Sequence, residues 1–75
     1  MKEINLNNIE LDRYDLNFLH DVILSSTNKN IKTDEELMEY WKILPYDIKL
    51  DTIKWGISDT VVRDDMYVFF KENCE

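Results

Sequence analysis

The chain has 75 residues and a formal net charge of −7, from sixteen acidic and nine basic side chains. So short a chain is expected to form one compact domain over residues 1–75, burying roughly 60% of the surface that its unfolded form exposes. Its 44% hydrophobic content excludes disorder, no apolar run approaches the about 20 residues of a membrane span, and a single Gly and a single Pro disfavour a many-stranded sheet.

The first element is the least marked. Ile4 and Leu6 alternate with polar residues, so residues 1–10 read as a short strand or an extended arm. From there to the end of the chain the pattern is helical. Leu11, Tyr14, Phe18 and Val22, with Leu19 and Ile23, recur at steps of three and four, which predicts a helix over about 11–25. "SSTNKN" then interrupts it with turn-prone residues.

The next helix opens on a capping box. The Thr33 hydroxyl can accept from the Glu36 amide, and Glu36 can reach back to the Thr33 amide. Asp34, Glu35 and Glu36 suit the positive end of the helix dipole. Leu37, Trp41 and Leu44 make the inward stripe, with Met38 beside it. Pro45 ends this helix and fits the first position of another, where its missing N–H costs nothing. In that helix Ile48, Ile53 and Trp55 are expected to face inward. Gly56 stands where a helix C-cap favours a left-handed residue. Ser58 is expected to cap the last helix, with Val62, Met66, Phe69 and Phe70 inward and Val61 and Val68 widening that side. The fold class is therefore mainly α, a bundle of three to four helices over 11–75. Its core is expected to hold Leu19, Val22, Leu37, Trp41, Ile53, Trp55, Val62, Met66 and Phe69.

The stretch "TIKWGISDTVVRDDM" resembles the helix-turn-helix of phage repressors and related regulators. Thr52, Trp55, Gly56, Ile57, Val62 and Met66 stand at that motif's small, apolar and glycine positions. The resemblance covers about residues 48–70 and implies two helices crossing at a glycine turn. It also implies that Ser58, Asp59, Thr60, Arg63, Asp64 and Tyr67 would be the positions to touch DNA. Two of those six are aspartates, which phosphates repel, and the basic residues are scattered along the chain. Direct nucleic-acid binding is therefore disfavoured. Asp59 and Arg63 have the i, i+4 spacing of a surface ion pair.

Little in the chain points to chemistry. His20 has no second histidine or cysteine cluster near it, so no zinc site is expected. Cys74 is a single cysteine near the C-terminus. One cysteine forms no internal disulfide, which fits a reducing cytoplasm. Ser25, Ser26 and Ser58 occupy turn or cap contexts, and no glycine-rich phosphate loop is present. The acid pairs Asp12/Asp15, Asp47/Asp51 and Asp64/Asp65 fall short of the oxygen ligands a hard cation takes. No enzyme, metal or cofactor is expected.

The charge is spread evenly, −2 over residues 1–30, −2 over 31–50 and −3 over 51–75. Such a field repels phosphate backbones and anionic lipid and attracts basic surfaces. Glu35/Glu39 and Asp47/Asp51 are like charges at i, i+4, which cost a few tenths of a kcal/mol in a helix. Retaining them suits a face turned to a basic partner. The expected partner-binding residues are Glu35, Glu39, Asp47, Asp51, Asp59, Asp64 and Asp65, with Tyr46 and Tyr67 supplying amphipathic area; Tyr40 lies near them. In size and charge the chain resembles small phage-encoded inhibitors of host or defence proteins, some of which imitate DNA with carboxylates. The expected function is a protein-binding inhibitor or regulator that occludes a basic surface, such as that of a nucleic-acid-binding protein. The alternative is a helix-turn-helix transcriptional regulator.

Overall fold

The computed structural model describes Leu6 and residues 9–74, and it is helical throughout, with no strand among the described residues. Helix α1 spans Arg13–Thr27. Its N-cap is Asp12, whose carboxylate accepts from the Asp15 amide at 2.9 Å. It closes at Asn28, which takes a left-handed conformation (φ 62°) and donates its amide to the Leu24 carbonyl. The helix thus runs two residues beyond its expected end. Ser26 Oγ and Thr27 Oγ1 each donate to a carbonyl one turn back, both at 2.7 Å. This internal bonding hides their polarity, so two residues that read as a turn are buried inside the helix. Leu16, Leu19, Val22 and Ile23 face the core. Tyr14, expected on the inward stripe, is exposed and leans on Phe18.

Helix α2 spans Asp34–Ile43 and begins at the expected cap, with Thr33 Oγ1 accepting from the Glu36 amide at 3.2 Å, while the return bond from the Thr33 amide to Glu36 is not made among the described residues. Leu37, Trp41 and Leu44 are buried. The Trp41 ring is fully enclosed, and its Nε1 donates to the Leu6 carbonyl at 2.9 Å. Leu6 is itself buried. The rest of the strand or arm expected over residues 1–10, Ile9 and Glu10 apart, lies outside the described residues.

Helix α3 spans Tyr46–Trp55, with Pro45 as the residue before it. Its buried residues are Lys49 and Thr52, with Ile48 half-buried. Lys49 Nζ donates to the Lys42 carbonyl at 2.7 Å, tying α3 to the end of α2. Desolvation pulls its pKa below the usual lysine value. The structure corrects two core assignments here. Ile53 and Trp55 are exposed, Trp55 by 66%. One residue past Thr52 turns the helix by about 100°, which carries Ile53 off the inward face. Trp55 falls at the edge of that face on the last turn.

Gly56 closes α3 with φ +96° and donates its amide to the Thr52 carbonyl. That backbone state is one which side chains with a Cβ rarely adopt. Helix α4 then spans Thr60–Cys74. Its cap is Asp59 and not Ser58: Asp59 Oδ1 accepts from the amides of Val61 (3.0 Å) and Val62 (3.3 Å). Val62, Met66 and Phe70 face inward, while Phe69 is half-buried. Val61 and Val68 do not widen that side; both are exposed.

Helix α1 packs along α4, with α2 laid on α1 and α3 on α4. Their inward residues form one apolar cluster that includes Leu19, Trp41, Val62 and Phe70. Two polar ties brace it from outside. Arg13 donates both terminal nitrogens to Asp34, at 3.2 and 2.6 Å, and Lys29 Nζ donates to the Cys74 carbonyl at 2.9 Å. These hydrogen bonds to Asp34, and then its charge, raise the Arg13 pKa.

Candidate functional site

The corner between α3 and α4 gathers the most conspicuous surface feature. Thr52, Ile57, Val62 and Met66 are buried there, and they hold the turn at Gly56 against the core. On the outer side of the same corner lies an open groove of about 230 Å³ lined by Asp51, Trp55, Asp59, Val61 and Val62. Trp55 and Val61 are each about two-thirds exposed, at 66% and 65%. An exposed indole beside an exposed valine is a costly arrangement in water, since each would contribute about 1.5–3 kcal/mol if covered. Two carboxylates, Asp51 and Asp59, border that apolar floor. Lys54 Nζ stands 5.7 Å from the Trp55 ring centre, so the indole face already accommodates a cation.

The expected partner-binding residues do not form one continuous face. Asp51 and Asp59 meet in the groove. Asp64 and Tyr67 line a second cleft, of about 300 Å³, between α1 and α4. Glu35, Glu39, Asp47 and Asp65 are exposed and line neither, and Glu39 stands 4.0 Å from Lys42 Nζ. Tyr46 is half-buried, and Tyr40 packs edge-on against Phe70 at 5.8 Å. What the sequence reading missed is Trp55 and Val61, because both were assigned to the interior. Their offset from Thr52 and Val62 along the helical wheel is the signal that would have placed them outside.

The expected ion pair between Asp59 and Arg63 is not made among the described residues. Asp59 is committed to the α4 amides. The Arg63 guanidinium instead lies over the Phe18 ring, 5.2 Å from its centre. Its Nε is buried and has no hydrogen-bond partner, an arrangement that costs about 1–3 kcal/mol.

No grouping of histidine, cysteine and carboxylate side chains suited to a metal ion occurs among the described residues. His20 Nε2 is 2.9 Å from Asn30 Oδ1, in a local contact. None of the described helices is long and apolar enough to cross a membrane. No protein-family model matches the chain, and neither characterised proteins nor solved structures yield a match.

Proposed function

We propose that this protein is a small acidic binding module that docks on a basic surface of another protein and occludes it. The observation that carries the reading is Trp55, standing exposed with Val61 between Asp51 and Asp59. Tryptophan is enriched at the energetic centres of protein interfaces. Carboxylates bordering it select a partner with lysine or arginine around an apolar anchor, and the net charge of −7 steers such a partner in. An inhibitor of a nucleic-acid-binding protein in the cytoplasm fits this chemistry, since such proteins carry basic faces.

The alternative, a helix-turn-helix regulator, draws support from the buried Thr52, Ile57, Val62 and Met66 around Gly56. The outward residues of α4 argue against it. The carboxylates of Asp59 and Asp64 would repel phosphates, and Arg63, the one basic residue between Ser58 and Tyr67, leans on Phe18.

The test begins with capture of a partner from host lysate at low and at high salt. Affinities of Trp55→Ala and of Asp47→Lys with Asp51→Lys are then measured against the parent. Trp55→Ala is expected to weaken binding by about thirtyfold or more, the usual mark of a central interface residue. The charge reversals are expected to slow association and flatten its salt dependence. Unchanged affinity and salt response in both variants would reduce the acidic face to a solubility coat.

A further inference from the structure

We infer that the cleft between α1 and α4 is a binding site for a small carboxylate, held by Arg63 with the hydroxyls of Ser25, Thr60 and Tyr67. Four donor-bearing side chains line this space, together with Val22 and Asp64. None of the three hydroxyls makes a hydrogen bond to another described residue, and neither does the Arg63 side chain. In a chain with sixteen carboxylates, the one arginine of α4 is left without one. Its i−4 neighbour Asp59 is turned to the helix amides. Burial of Nε and contact with the Phe18 ring fix the guanidinium in place and lower the dielectric around it. Its remaining N–H groups then bind an oxyanion more strongly than a solvated arginine would.

The charge balance selects the ligand. Asp64 lines the same cleft, so a dianion such as sulfate meets a like charge beside its cation. A monoanionic carboxylate presents two oxygens to the planar guanidinium fork and leaves the hydroxyls to complete its hydrogen bonds. A ligand with a hydroxyl next to its carboxylate can also donate to Asp64, which favours lactate over acetate. A volume of about 300 Å³ limits the occupant to a small molecule.

This site is independent of the Trp55 groove, and its test uses no protein partner. The isotope-labelled protein is titrated with lactate, acetate, sulfate and chloride at constant ionic strength, and amide and arginine Nε resonances are followed. Lactate is expected to give saturable shifts confined to residues near 22–25, 60–67 and Phe18. Acetate should bind several-fold more weakly, and sulfate and chloride should give no saturable shift. Arg63→Met keeps an apolar stem against Phe18 and should abolish saturation; Tyr67→Phe should weaken it while leaving the fold's spectrum intact. Asp64→Asn should let sulfate bind. Shifts that rise linearly with every salt, or that survive Arg63→Met, would show that the cleft holds only water.

Discussion

Two tryptophans of the same chain make opposite demands on a substitution. Trp41 is fully enclosed and anchors Leu6 through its indole N–H. Trp41→Ala should cost about 3–5 kcal/mol, enough to unfold most of a population of so small a domain, as a urea melt would show. Trp55→Ala should leave that melt within about 0.5 kcal/mol of the parent, because the ring is mostly in water already. Asp15 carries a different expectation. It is half-buried, and desolvation raises its pKa, helped by the charge on Asp12. A carboxyl whose pKa is raised by folding favours the folded state when protonated, and that contribution is lost as pH climbs from the unfolded value of about 3.9 through the folded one. Asp15→Asn is therefore expected to be more stable than the parent at pH 7 and no more stable near about pH 2.5. Equal melts at both pH values would show that neither the burial nor the Asp12 charge weighs on it.

At the scale of the helices, the ends decide more than the middles. Asp59 accepts two α4 amides, so Asp59→Ala should cost about 0.5–2 kcal/mol while Ser58→Ala is close to neutral and Asp59→Asn keeps most of the cap. Gly56→Ala meets open space but must hold φ near +96°, and we expect it to destabilise by about 1 kcal/mol or more in the same denaturant assay. These positions also mark how far the sequence could be read. All four helices were legible, since Leu19, Val22, Leu37 and Val62 recur at helical spacing and Thr33 and Gly56 punctuate the ends. Ser58 and Asp59 are adjacent and both suit a cap, so composition could not choose between them; in the fold it is the Asp59 carboxylate that reaches the α4 amides. Ser26 and Thr27 read as a break because their bonds back into α1 are invisible in residue type. Trp55 was misplaced because an apolar residue on the last turn of a helix need not have a neighbour to cover it. The α1–α4 cleft was not legible at all, for Ser25 and Arg63 meet only through tertiary packing.

For the whole molecule, charge governs what can approach. With −7 spread over the chain and Arg63 held against Phe18, no measurable binding to random duplex DNA is expected at physiological salt. A gel shift at micromolar protein that weakens as salt rises would overturn this and favour the regulator reading. Association with a basic protein should instead be fastest at low ionic strength, and slow as salt rises through about 0.15 M, where charges beyond roughly 8 Å are screened.

The separation of Trp41 from Trp55 gives the protein two optical probes that report different events. The emission of Trp41, sealed from solvent, should lie to the blue and resist quenching by acrylamide, a neutral quencher that the acidic surface does not repel. The emission of Trp55 should lie to the red and be quenched readily. A partner seated in the groove would shield the red component and leave the blue one untouched, whereas unfolding would merge the two. One fluorescence titration can therefore tell occupancy of the corner from loss of the fold, with no label added.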